Sequence, residues 1–329
     1  MNWERRRFVH RVAGAATIVG FAPMALRAQT PWPSKPIRII VGAPPGGQSD
    51  VLARVYGEYL GQRLGRPVIV ENKPGAAGIL AGAEAARAAP DGHTFWWTIT
   101  GSTNQNRVLF KKLPFDPDRD FVHVSGFDPG PLPLGVPAAS PIRSMRDLLE
   151  FGKTQRITFG NYSAGSFAHM MAQQLSKKYG LTVEPVTYRG EAPMWADLAS
   201  GQLTVALGSA VGMSPHLQSG KVRAIAVTTR GRSTLLPEIP TFDEQGFSDP
   251  VFVIQGWQGL LAPANTPQSI VRQVSDIIQD AASTPRVREL NKTFGMAAKP
   301  WSAAEFEKLD REIRPILIEL ARELNITLD

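Results

Sequence analysis

An apolar, largely β-branched run, Ile37-Arg38-Ile39-Ile40-Val41, stops at Gly42-Ala43-Pro44-Pro45-Gly46-Gly47-Gln48-Ser49-Asp50, and helix-forming sequence follows at once from Val51 to Leu64. A strand joined to a helix by so short and glycine-rich a connection constrains the fold, because the two must pack side by side as a βα unit. The joint also has chemical consequences. The first N–H groups of a helix lack intrahelical partners, and the helix dipole places partial positive charge there. Two readings of the turn stand side by side: a tight connection with Ser49 or Asp50 capping the helix, or a cradle for a carboxylate or phosphate. The turn lacks the Gly-Lys-Ser/Thr ending of a nucleotide P-loop, so no lysine awaits a triphosphate and no hydroxyl awaits magnesium.

The alternation continues along the chain. Helix Val51–Leu64 leads to strand Pro67–Glu71, helix Ala76–Ala88 and strand Thr94–Thr100, with turns at Lys73-Pro74-Gly75 and Pro90-Asp91-Gly92. Strands at Val122–Phe127 and Leu132–Pro137 flank Asp128-Pro129-Gly130-Pro131. A second series runs from helix Met145–Gly152 through strand Ile157–Tyr162, helix Gly165–Tyr179, strand Val183–Tyr188, helix Ala192–Ser200 and strand Leu203–Leu207 to strand Ala224–Thr228, with a short helix near Ser214–Ser219. A strand-like Ile254–Ala262 and helices Pro267–Ala282, Pro285–Gly295 and Ser302–Leu324 close it. Such alternation predicts parallel βαβ units. The two halves share a theme, since Phe159-Gly160-Asn161-Tyr162-Ser163-Ala164-Gly165-Ser166 is a second strand, small-residue turn and helix start. Two such joints aimed at one cleft predict a bilobed binder.

The first 28 residues read as an export signal: Arg5, Arg6, Arg7 and Arg11 precede the apolar Val12–Ala22, which is too short to span a bilayer, and Ala28 is a suitable cleavage position. The arginines fit a general secretory signal and also, loosely, the twin-arginine pattern. Of the formal charge of +7, residues 1–28 supply +4 through Arg5, Arg6, Arg7, Arg11, Arg27 and Glu4, which leaves an ordinary +3 and no electrostatic case for nucleic acid. With no cysteine there is no disulfide, thiol catalysis or cysteine-linked lipid anchor.

Enzymatic chemistry finds little footing. Asn161-Tyr162-Ser163-Ala164-Gly165 lacks the first glycine of a nucleophile elbow, and only His169 lies where it could serve Ser163 or Ser166 as a base. The five histidines are scattered without ligand spacing, so no metal is expected, and no cofactor motif is present. Polar, small-residue strand ends are the stronger lead: Thr98 to Asn106, Thr187-Tyr188-Arg189-Gly190-Glu191 and Gly208-Ser209-Ala210 join the two turns at the positions where open α/β sheets bind ligands.

Ordered motifs extend over the rest of the chain. They include Trp32-Pro33-Ser34-Lys35-Pro36-Ile37-Arg38, Pro44-Pro45-Gly46-Gly47 with Asp50, Val70-Glu71-Asn72-Lys73-Pro74-Gly75-Ala76, and Lys112-Leu113-Pro114-Phe115-Asp116-Pro117. Tyr188-Arg189-Gly190, Gly220-Lys221-Val222-Arg223-Ala224-Ile225-Ala226-Val227-Thr228 and Leu236-Pro237-Glu238-Ile239-Pro240-Thr241 follow. With these the sequence resembles the Bug-type solute-binding receptors of tripartite tricarboxylate transporters. The resemblance implies an α/β, type II periplasmic-binding-protein fold: two lobes with mainly parallel sheets joined by crossing hinge strands. Residues 29–128 plus 229–329 would form one lobe and 129–228 the other. It implies a non-enzymatic periplasmic protein that captures a small organic carboxylate for membrane transporter subunits. By position, Pro45, Gly46, Gly47, Gln48 and Ser49 would form one half of the ligand site and Ser163, Ala164, Gly165 and Ser166 the other, with Thr100, Asn106, Tyr188 and Gly190 nearby. The alternatives are a secreted serine hydrolase or transferase using Ser163 or Ser166, and a carboxylate sensor without a transport role. One departure from the family pattern is Arg107, which follows Asn106 where a proline is common.

Overall fold

A computed structural model describes residues 31–229 and 231–328; the expected export signal at residues 1–28 lies outside the described residues. Residues from Pro33 onward form one compact unit built on two five-stranded sheets. In the first, β1 (Ile37–Val41), α1 (Gln48–Leu64), β2 (Val68–Asn72), α2 (Ile79–Ala86) and β3 (Thr94–Ile99) make the expected parallel βαβαβ run. A π-helical turn at Gly101–Gln105 and the short α3 (Asn106–Leu109) then lead to β4 (Phe121–Phe127).

The second sheet repeats the plan. The chain crosses to it at β5 (Pro133–Pro137), passes α4 (Met145–Gly152), and lays down β6 (Ile157–Asn161), α5 (Phe167–Tyr179), β7 (Val183–Thr187), α6 (Glu191–Ala199) and β8 (Val205–Leu207), again all parallel. After α7 (Ala210–Gln218) and β9 (Val222–Val227), the chain stays against this sheet and α5. There Phe242 N–H donates to Val227 O (3.1 Å), and the rings of Phe247 and of Phe252, the latter in α8 (Pro250–Val253), pack against Tyr179. It then returns as β10 (Gln258–Pro263) to the first sheet, and α9 (Gln268–Ala281), α10 (Pro285–Phe294) and α11 (Ala303–Arg322) complete the chain.

The strand orders are β2-β1-β3-β10-β4 and β7-β6-β8-β5-β9. Each sheet is thus mixed. The βαβ strands run parallel, whereas the strand that arrives by crossing, β10 in one and β5 in the other, runs antiparallel to both its neighbours.

The tandem Trp96 and Trp97 show the pleat at work, since successive strand side chains face opposite ways. Both are fully buried: Trp96 packs on Phe121 (4.9 Å) and Phe115 (5.5 Å), while Trp97 stacks on Phe127 (4.6 Å) and Tyr56 (6.1 Å) on the other face. Helix α7 begins four residues before the expected Ser214, because Ser209 caps it and Pro215 removes only one intrahelical hydrogen bond. The loop expected just after β3 is instead the π-helical turn, in which Ser102, Thr103, Asn104 and Gln105 are all buried.

Candidate ligand-binding site

The first turn is held by one acidic residue. Gly46, at a φ of +80° that favours glycine, donates its N–H to Asp50 Oδ2 (2.8 Å). Asp50 Oδ1 accepts from Asn72 Nδ2 and pairs with Arg54, both at 2.9 Å. Burial works against the Asp50 charge, but Arg54, the Gly46 amide and Asn72 outweigh it and keep the carboxyl below its ordinary range. Gly47 is the N-cap and offers no side-chain cap. The side chains of the first two helical residues are drawn toward the crossing segments: Gln48 Nε2 donates to Pro129 O (3.0 Å) and Ser49 Oγ to Gln258 Oε1 (2.7 Å). Their backbone N–H groups have no acceptor among the described residues, in a turn where Pro44 to Gly47 are exposed. Pro45 lines this turn without donating, having no N–H.

The second turn is wired differently. Ser166 caps α5, its Oγ accepting from His169 N (3.3 Å), and its own N–H donates to Ser163 O (3.2 Å). Gly165 (φ +74°) donates to His169 Nδ1 (3.2 Å), which fixes that ring nitrogen as an acceptor, and burial holds the His169 pKa down. The Phe167 amide faces the Tyr162 hydroxyl. Open backbone donors remain at Ser163 and Ala164, both half-buried.

Segments beside the turns meet at the crossing strand. A Cβ on Gly256, just before β10, would lie 2.4 Å from Thr100 Oγ1 of the first sheet and 2.9 Å from Phe167 Cε2 on α5. A Cβ on Gly165 would strike Leu109 Cδ1 at 2.2 Å. Phe167 and Leu109 are both buried there.

The remaining expected residues sit as follows. Thr100 is buried, its N–H bonded to Trp257 O (3.2 Å). Asn106 is buried too and spends its amide on Ala77 O (3.1 Å), which also receives Ser102 Oγ (2.9 Å). That carbonyl belongs to a turn in which Ala76 and Ala77 have φ of +44° and +51°, so two side chains brace a strained backbone. Tyr188 donates its hydroxyl to Asp197 Oδ2 (2.7 Å), and Gly190 donates its N–H to Tyr162 O (3.0 Å). Arg189 is exposed. Arg107 clasps Thr103 O (2.6 Å) and Asp118, anchoring the π-helical turn.

Two carboxylates support the site from behind, Asp310, which sequence reasoning missed, and Glu191, which it placed at a strand end without a role. Asp310 on α11 is 2% exposed and accepts from Asn104 Nδ2 (2.9 Å) and Trp257 Nε1 (2.8 Å), with His123 and Arg314 also against it. Burial opposes its charge, but His123, Arg314 and Asn104 prevail and hold its pKa far below the usual range. Glu191, the first residue of α6, accepts from Ser209 N–H (2.9 Å) and from its hydroxyl, so it occupies the N-terminus of α7; burial raises its pKa against these bonds. The signal for Asp310 was present: it is the lone acid on the apolar stripe Phe306, Ile313 and Leu317. Among the described residues no cluster of three metal-ligating side chains occurs.

Two α/β sheets exchanging crossing strands, each with a βα turn opening a helix, define a two-lobed solute-binding protein of the type II periplasmic kind. Residues 52–316 match the profile of the tripartite tricarboxylate transporter family receptor, and the chain belongs to that family. It is 32% identical to a UPF0065 protein of the tcbD-tcbE intergenic region of Pseudomonas sp. (strain P51), over 90% of this chain and 87% of that one. To BugT of Bordetella pertussis it is 31% identical, covering 81% and 86%. Among solved structures, Rpa4515 of Rhodopseudomonas palustris with adipate superposes at a TM-score of 0.81 with 25% identity, covering 90% of this chain and 99% of that one. MatC (Rpa3494) of the same organism, with bound malate, gives 0.77 and 26%, covering 88% and 100%. The family's members are solute-binding receptors, and no described helix is long and apolar enough to cross a membrane.

Proposed function

We propose that this chain is a non-enzymatic periplasmic receptor that captures a small organic carboxylate between its two sheets and presents it to the membrane subunits of a tripartite tricarboxylate transporter. The observation that carries this reading is the uncapped start of α1, where the Gln48 and Ser49 amides lack acceptors at the positive end of a seventeen-residue helix. Amide N–H bonds to an ionised carboxylate are roughly twice as strong as neutral ones, so no lysine or arginine is required. Relatives solved with adipate and malate support a carboxylate as the ligand. The cleft would close as the sheets rotate about the crossing segments near 128–132 and 228–257. The Ser166 hydroxyl, accepting as a helix cap, and His169 Nδ1, taken by Gly165, leave the serine-hydrolase alternative without a serine–imidazole pair among the described residues. Removal of residues 1–28 on export, with cleavage after Ala28, belongs to the same reading and is checked by N-terminal sequencing of the exported protein.

A thermal-shift screen against organic acids tests the receptor role. A carboxylate at about 100 times its Kd stabilises the protein by roughly 2.7 kcal/mol. A screen in which no carboxylate raises Tm, or turnover of esters that is lost in Ser166→Ala, overturns it.

A further inference from the structure

We infer that Gly130 is the swivel between the two sheets and that the side chains of Gln48 and Gln255 set its posture. Through them, a ligand seated on the start of α1 is relayed to the crossing segments. This rests on the carboxylate-receptor reading and extends it from the seat to the hinge. The observation behind it is the way three successive carbonyls are held.

The outgoing segment contains Pro129-Gly130-Pro131. Both proline rings lock φ, so Gly130, at a φ of +77°, is the one residue of the three whose φ is free to turn. Pro129 O accepts from Gln48 Nε2 of α1 (3.0 Å) and so is tied to the first sheet. Pro131 O accepts from the N–H of Ala210 (3.3 Å), the first residue of α7, and so is tied to the second. Between them, Gly130 O accepts from Gln255 Nε2 (2.9 Å) on the returning segment. The hold passes from one sheet to the other at Gly130. No other residue suits the position, because a Cβ there would lie 2.3 Å from Phe294 O.

Gln255 gathers the remaining chain to the same point. Its Nε2 also reaches Thr228 Oγ1 (3.3 Å), just past β9. Thr228 in turn accepts the Leu132 N–H on that hydroxyl and donates its own N–H to Leu132 O, both at 3.3 Å. One carboxamide thus bridges the outgoing segment, the end of β9 and the returning segment. Gln48 supplies the link to the ligand seat. Its backbone N–H is one of the open donors at the start of α1, while its side chain grips Pro129 O. Ser49 does the same toward the returning segment, its Oγ donating to Gln258 Oε1 (2.7 Å) at the start of β10. A carboxylate that fixes these two amides fixes the residues whose side chains hold both crossings, and so favours one posture of the swivel over the other.

The chain has no cysteine, so a pair of spin labels can be placed on it cleanly. Gln62→Cys in α1 and Gln202→Cys just ahead of β8, both exposed positions, report the spread between the sheets by electron–electron double resonance. Gln48→Met and Gln255→Met keep side-chain length and remove the donor. Each is expected to broaden the distance distribution of the free protein toward larger separations. Ser302→Ala, which weakens the cap of α11 without touching the crossing segments, should leave it unchanged. Calorimetry with adipate and with malate reads the relay. Each methionine variant should bind about three- to tenfold more weakly, the worth of one net hydrogen bond. The double variant should lose little more than the weaker-binding single, because both side chains act through one swivel. Distance distributions that match the wild type in both variants overturn the inference, as do affinity losses that multiply in the double variant; either result leaves the receptor reading standing. If neither adipate, malate nor any other organic acid binds, the receptor reading falls, and the distances in the free protein still decide the swivel.

Discussion

At the scale of single residues, the open helix start separates stability from binding. Gly47 has ordinary extended φ/ψ, and a Cβ there would meet only Pro44 O at 3.5 Å, so a side chain is accommodated. Aspartate is a better N-cap than glycine by a few tenths of a kcal/mol and favours the helix dipole. Gly47→Asp should therefore raise Tm slightly while abolishing the ligand-induced shift, since its carboxylate caps the Ser49 amide and sets a negative charge at the helix start; undiminished binding by calorimetry would remove this turn from the site. Asp310 presents the opposite case. Replacing it by alanine strands Trp257 Nε1, the Asn104 amide and one side of Arg314, a loss of about 3 kcal/mol for a broken buried pair, read by urea unfolding at neutral pH. The Asp310 pKa is depressed in the folded state, so its contribution is complete above the ordinary carboxylate value near ~3.9 and drains away as pH falls toward the folded value. The gap between wild type and Asp310→Ala should narrow below about pH 4. Which residues form the turns was legible from glycine and proline punctuation. Which of their amides stay free was not, because Asp50, Tyr162 and His169 consume donors through contacts that spacing alone does not encode.

At the scale of elements, periodicity located the βαβ runs because each strand's apolar residues and each helix's capping residues agree locally. The direction of β5 and β10 was less legible, since a six-residue apolar strand such as Gln258–Pro263 looks alike from either end and its neighbours are set by distant chain. Helix α11 shows how a terminal element can serve the site from behind. It packs on β4 through Phe306 and reaches Asn104 and Trp257 through Asp310. Its start is a full capping box: Glu305 N–H bonds Ser302 Oγ (3.3 Å), and Glu305 Oε2 accepts Ser302 N–H (2.8 Å). Ser302→Ala should cost about 1 kcal/mol in urea unfolding. The effect on ligand Kd should be small, because Asp310 lies two turns further along the helix and its position is fixed independently by His123 and Arg314. A large change in Kd would show that the helix start itself controls the π-helical turn.

At the scale of the whole molecule, the two sheets touch at the segment that the proposed closure would use as its hinge. Gly256 lies on the returning segment with no room beyond its hydrogen, between Thr100 of one sheet and Phe167 of the other. Its φ is not in the left-handed region, so alanine is compatible with the backbone and the only conflict is steric. The added methyl falls on a hydroxyl at 2.4 Å and a ring edge at 2.9 Å, the first on the same sheet and the second on α5. In an open form, with Phe167 withdrawn, the ring contact is relieved, while the Thr100 hydroxyl stays beside Gly256 because the Thr100 N–H is bonded to Trp257 O (3.2 Å). Gly256→Ala therefore strains the segment in both forms and the closed form more, through the added Phe167 contact. Overpacking of this kind costs about 1–3 kcal/mol, and a ligand that must drive closure forfeits that amount as affinity. A carboxylate found by the screen should bind the variant about ten- to a hundredfold more weakly, chiefly through faster release, which calorimetry and stopped-flow dissociation would read. The unfolding midpoint of the free protein should fall as well, by less than the loss in affinity, because opening relieves the Phe167 contact and leaves the Thr100 contact in place. Small-angle scattering supplies the geometric check: the radius of gyration should fall on ligand addition in the wild type and fall less in Gly256→Ala. Equal affinity and equal contraction in the two proteins would mean that closure does not bring Phe167 against Thr100, and that the crossing segments are not the hinge.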